Sequence, residues 1–99
     1  MTPETLLSLL KPFGIDEAAG VPDSLLADFT ASARRILGPG RFTVCANAGL
    51  AVSWAAARQK ATGRPALVFL QNSGLGNCVN PLLSLTHGAV YRLPVFLLV

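Results

Sequence analysis

Apolar residues along this chain fall into two kinds of run: stretches at helical spacing, and short continuous runs rich in β-formers. Leu6, Leu7, Leu9 and Leu10 give the first helical face. Thr2–Pro3 reads as its N-cap with proline at the first helical position, and Pro12–Phe13–Gly14 stops it. A loop is expected next, through Gly20–Val21–Pro22–Asp23–Ser24. Asp23 or Ser24 can cap a second helix, in which Leu25, Leu26, Phe29, Ala33 and Ile36 recur at helical spacing. Arg34 and Arg35 sit near its carboxyl end, where cations suit the dipole, and Gly38–Pro39–Gly40 terminates it. Phe42–Ala46 reads as a buried strand. Asn47 can cap an Ala-rich helix running to about Ala61, with Gly63 beyond its end. Ala66–Leu70 is the next strand. A polar loop then leads into a helix to about Leu85, with Asn80–Pro81 in its first turns, and Pro94 precedes a last strand, Val95–Val99.

The predicted order is helix, helix, strand, helix, strand, helix, strand. Apolar strands separated by helices imply an α/β fold: a parallel sheet with flanking helices and right-handed crossovers. With 99 residues and no repeat, low-complexity segment or linker, one domain is the limit. No polar residue follows Val95. The expectation is therefore a single partial domain over residues 1–99, truncated after the strand at 95–99, or one whose last strand is covered by a partner. An apolar sheet edge invites association, so poor solubility or obligate oligomerisation is expected.

The most informative stretch is Gln71–Leu85, where the strand-like run Ala66–Leu70 breaks into amides, a hydroxyl and two glycines. Gln71, Asn72, Ser73, Asn77 and Asn80 thus cluster where a strand meets a helix, the place where α/β sheets hold ligands. Gly74 and Gly76 are expected to allow positive φ and close backbone approach. No charged residue lies between Pro65 and Tyr91, so this loop must hold its ligand by hydrogen bonds and shape.

Composition adds a folded core, with 52% hydrophobic and 13% charged residues. The net charge of +3 is less informative than its distribution. Every acid (Glu4, Asp16, Glu17, Asp23, Asp28) precedes Phe29, whereas Phe29 to Val99 carries seven Arg or Lys and no carboxylate. No carboxylate from that segment can act as a base or bind a metal. Its cations are scattered without aromatic interleaving, which argues against nucleic acid. Cys45 and Cys78 have no metal spacing, the lone His87 does not complete a zinc site with them, and both thiols read as small buried hydrophobes. The amino terminus lacks a basic start with a cleavage site, and the apolar stretches are interrupted, so neither a signal peptide nor a membrane span is expected and the cytoplasm is the default location.

Generic motifs fail. Gly74–Leu75–Gly76 lacks the third small residue of a dinucleotide fingerprint, because Val79 occupies it, and no acid follows to hold a ribose. Gly63–Arg64–Pro65 is no Walker sequence. Ser73 is not in a nucleophile elbow, and the acids lie far upstream of it.

Three segments together carry a resemblance: Gly20–Val21–Pro22–Asp23–Ser24–Leu25–Leu26; Cys45–Ala46–Asn47–Ala48–Gly49 with Ala61–Thr62–Gly63–Arg64–Pro65–Ala66–Leu67–Val68; and Gln71–Leu85 with Tyr91–Arg92–Leu93–Pro94. The chain resembles the amino-terminal pyrimidine-binding domain of thiamine-diphosphate-dependent enzymes, most of all phosphonopyruvate decarboxylase and the alpha subunit of sulfopyruvate decarboxylase. The similarity runs from about Gly20 to Val99. It implies a thiamine-diphosphate-binding fold whose pyrimidine-facing residues are Ser73, Gly74, Leu75, Gly76 and Asn77. It places Asp23, Ser24 and Asn72 toward the substrate. It also implies a second domain or subunit, usually from another chain of a homo- or hetero-oligomer, that holds the diphosphate through Mg2+. No metal ligand is then expected in this chain.

One departure bears on chemistry. Family members usually carry Ala-Asn-Glu-Gly where this chain has Ala46–Asn47–Ala48–Gly49. The resemblance implies that this glutamate bonds a pyrimidine ring nitrogen and drives formation of the thiazolium ylid. Ala48 can do neither. No catalytic residue is therefore intact, and the expectation is a decarboxylase domain for phosphonopyruvate or sulfopyruvate that is inactive alone. The alternatives are a non-catalytic degenerate module, or a component of an acetolactate-synthase-like carboligase, against which Gln71–Asn77 argues.

Overall fold

Alternation along each strand sorts the apolar residues into two clusters, one on either face of a four-stranded sheet. A computed structural model describes residues 1–99. Its helices are α1 (Pro3–Leu10), α2 (Ala27–Leu37) and α3 (Ala48–Thr62), with a single turn α4 (Val79–Pro81) further on. Its strands are β1 (Ala18–Gly20), β2 (Phe42–Val44), β3 (Leu67–Phe69) and β4 (Phe96–Leu98). The strands lie in the order β2-β1-β3-β4 and every pairing is parallel. The parallel α/β arrangement expected from the sequence is the one observed.

Ala18, Leu67 and Phe69 turn to one face and meet Leu7 and Leu10 of α1 with Phe29 and Ala33 of α2. Phe69 anchors that layer, with its ring centroid 5.6 Å from Phe29 and 5.3 Å from Phe42. Ala19, Val68 and Leu70 turn to the other face and meet Ala48, Ala51, Val52 and Ala55 of α3. Those α3 residues recur at i, i+3, i+4 and i+7, one face of a helix, and their small side chains let α3 lie close on the sheet. Cys45 and Cys78 are both buried in this second cluster, as small hydrophobes would be.

One strand departs from the sequence reading. Residues 18–20, read as the approach to a loop, form β1, the strand to which both β2 and β3 pair. Ala-Ala-Gly carries no β propensity, and tertiary packing decides its conformation. A Cβ on Gly20 would overlap the carbonyl oxygen and ring of Phe69, so glycine is required where β1 lies tight against β3. The amino-terminal ends of the strands are joined by charge: Asp16 meets Arg41 at 3.1 Å and Arg64 at 3.2 Å, and Glu17 meets Arg58 at 2.8 Å. Four of the chain's basic residues are thereby committed to partners, counting Arg35 on Glu4 at 3.1 Å.

Candidate functional site: a neutral cleft at the carboxyl ends of the strands

From β1 the chain crosses to β2 on one side and later to β3 on the other, so the winding direction reverses between β1 and β3. The segments leaving these strands diverge there and open a crevice, the usual ligand position in such sheets. A cleft of ≈ 220 Å³ occupies it, lined by Val21 after β1, Ala46, Asn47 and Ala48 entering α3, and Leu70, Gln71, Ser73, Gly74 and Asn77 after β3.

Two helix starts shape the walls. Asn47 is extended (φ −154°) and its Oδ1 accepts the Leu50 N–H at 2.8 Å, so it caps α3 as its sequence position suggests. Opposite, Asn72–Cys78 winds as a 3₁₀ helix, passes through α4 and ends in a π turn over Leu82–Thr86. The predicted single helix is therefore composite. Two glycines weaken its start, and Pro81 has no N–H to give the Asn77 carbonyl.

The two walls meet through glycines. A Cβ on Gly49 would run into the Asn77 carbonyl oxygen, and one on Gly74 would lie 3.2 Å from the Ala48 Cβ. The approach is close at Gly49 and tight at Gly74. Neither Gly74 nor Gly76 has positive φ, contrary to the expectation from sequence, and a side chain at Gly76 would meet open space. Ala48 is only 3% exposed, so its methyl forms part of the cleft floor.

Of the residues expected to face the pyrimidine, Ser73, Gly74 and Asn77 line the cleft. Leu75 instead packs against the core beneath, and Gly76 and Asn72 lie outside the lining. The polar side chains of Gln71, Ser73 and Asn77 are exposed and able to bond a ligand. Val21, Ala46 and Leu70 carry no sequence signal for a site, because apolar residues beside strands look like ordinary core. Asn47, a cap from its sequence position, is both cap and wall.

Asp23 and Ser24 belong to a neighbouring groove lined with Pro22, Ala27, Thr30, Ala31 and Arg34. Asp23 Oδ1 accepts the Leu25 N–H at 3.3 Å and the Ser24 hydroxyl at 3.2 Å, capping the short 3₁₀ turn that leads into α2. The Arg34 guanidinium stands over the Phe42 ring, 5.3 Å from its centroid, and gives this groove a cation that sequence reasoning assigned only to the helix dipole.

Electrostatically the cleft is bare. No ionisable side chain lines it. Burial pushes the Cys45 thiol above its ordinary pKa, with partial opposition from a Gly20 backbone hydrogen bond, and burial does the same to Cys78, so both thiols beside the cleft stay protonated near neutrality. No group of three or more His, Cys, Asp or Glu side chains converges to hold a metal ion, and no helix is long and apolar enough to cross a membrane.

A strand-end crevice walled by amides, a hydroxyl and small apolar groups, without a charged side chain, can hold a neutral ligand by hydrogen bonds and shape. Comparison with protein families agrees in kind: the model for the thiamine pyrophosphate enzyme, N-terminal TPP binding domain matches residues 2–99. The chain belongs to that family, and thiamine diphosphate (the same compound as thiamine pyrophosphate) is the ligand its fold is built to bind. A search of curated proteins gave no match.

Proposed function

We propose that this chain is the pyrimidine-holding part of a thiamine-diphosphate-dependent 2-oxo acid decarboxylase acting on phosphonopyruvate or sulfopyruvate, and that the 99 residues are catalytically inactive alone. The observation that carries the reading is the neutral cleft itself, with Gln71, Ser73, Gly74 and Asn77 on one wall and Ala48 in its floor. Gln71, Ser73 and Asn77 orient the ring by hydrogen bonds, while Val21, Ala46 and Leu70 exclude water from its faces. When bound, the cofactor supplies the nucleophilic carbon that lets a 2-oxo acid lose carbon dioxide. The chain's contribution to activating it would be a group that moves a proton at the ring nitrogen, and Ala48 has none. The diphosphate and its Mg2+ are assigned to a second domain or subunit, because the cleft offers neither a cation nor a carboxylate. Arg34, in the groove with Asp23 and Ser24, suits the phosphonate or sulfonate end of the substrate. Ala48 equally favours a module that keeps the fold and binding surface without the chemistry. Nothing in the cleft favours a carboligase.

The purified chain, given thiamine diphosphate, Mg2+ and phosphonopyruvate or sulfopyruvate, is expected to release no carbon dioxide above the protein-free rate. Clear turnover would refute the assignment of inactivity.

A further inference from the structure

We infer that the cleft selects the uncharged form of an aminopyrimidine ring and rejects the ring-protonated cation. The inference rests on the reading above that this cleft holds such a ring, and adds which charge state it takes. It follows from where the chain's carboxylates are. Glu4 pairs with Arg35 on the α1–α2 side. Asp16 and Glu17 are held by Arg41, Arg58 and Arg64 at the opposite ends of the strands. Asp23 caps its own turn in the neighbouring groove, and Asp28 lies exposed in the first turn of α2. None of the five lines the cleft.

What the cleft does present is the amino-terminal end of α3, a 15-residue helix whose first residue, Ala48, forms the floor. That end of a helix carries partial positive charge and is unfavourable for a cation. A protonated ring entering here would lose hydration without gaining a counter-charge. A neutral ring loses little, and its nitrogens and amino group find amide and hydroxyl partners at Gln71, Ser73 and Asn77.

The test uses the full chain at neutral pH with two probes of one shape. One is 4-amino-2-methylpyrimidine, which is mostly neutral there. The other is 4-amino-2-methylpyridine, which carries a ring proton there. Binding is read from amide chemical shifts in a titration. The pyrimidine is expected to bind at least about tenfold more tightly than the pyridinium. Raising the pH until the pyridine sheds its proton, with binding there read from the probe's own methyl signal because backbone amides exchange too fast, should close most of that gap. Ala48→Glu, which adds a carboxylate at the floor, should narrow or reverse it at neutral pH. Equal or tighter binding of the pyridinium by the unaltered chain would overturn the inference while leaving the site assignment standing. So would a gap that persists after deprotonation, because charge would not be its cause. If neither probe shifts any cleft amide, the site assignment itself fails and this inference falls with it.

Discussion

Replacing Ala48 by glutamate is expected to raise decarboxylation at least tenfold when the chain is combined with a complementary diphosphate-binding domain. Ala48 is the first residue of α3, and its methyl forms part of the floor of a cleft of ≈ 220 Å³. A longer side chain from this position has the cleft to extend into, and the start of a helix favours its carboxylate. Restoring one acid–base partner is typically worth about 10²–10⁴-fold, so tenfold is a conservative floor. The check is kcat in the reconstituted mixture, beside Ala48→Gln as a neutral counterpart of similar size. An unchanged rate for Ala48→Glu, or an equal gain for Ala48→Gln, would mean that the missing carboxylate is not what limits the chain.

The second large effect concerns the fold. Gly20→Ala is expected to destabilise the chain by about 3 kcal/mol, the upper part of the usual range for overpacking a tight core. The added methyl would overlap both the carbonyl oxygen and the ring of Phe69, and the carbonyl belongs to a β3 residue aligned with Gly20 in the sheet. Backbone held on both sides cannot move aside as the end of a flexible side chain could. A native domain has only about 5–15 kcal/mol in total, so a chain of this size would lose much of its margin. Gly76→Ala serves as the comparison, because a methyl there meets open space, and its effect should stay within about 0.5 kcal/mol. Chemical denaturation midpoints distinguish the two. Equal midpoints would mean that β1 and β3 are not packed as described.

These two sites also mark what the sequence could and could not disclose. The strands over Phe42–Val44, Leu67–Phe69 and Phe96–Leu98 were legible as strands from their continuous apolar, β-rich residues, but only Leu67–Phe69 is buried. The run at Phe42, expected to be buried, lies on one sheet edge and Phe96–Leu98 on the other, both half-buried to exposed. The Asn47 cap and the end of α3 at Gly63 were legible because their chemistry is local: a side-chain oxygen on a free N–H, and a glycine at φ +74°. The interior strand β1 was not. Ala18–Ala19–Gly20 has no strand signature of its own, and its place is set by Phe69, nearly fifty positions later. The candidate site divides the same way. Its polar wall stood out because amides and glycines interrupt an apolar run. Its apolar wall, Val21, Ala46 and Leu70, was hidden because those residues differ from core only in where three strands happen to end. Asp23 and Ser24 lie close in sequence to Val21 yet line a different groove, a separation that only the direction of the chain after β1 decides.

On the function proposed above, the cofactor's ring sits in the crevice between β1 and β3. Titrating thiamine diphosphate with Mg2+ into the isotope-labelled chain and following backbone amides tests it most directly. The largest shifts are expected on Val21, Ala46–Gly49, Gln71, Ser73, Gly74 and Asn77, with the groove between α1 and α2 around Lys11 and Arg41 little changed. Shifts concentrated at Lys11 and Arg41 instead, or none at the cleft at saturating ligand, would contradict it.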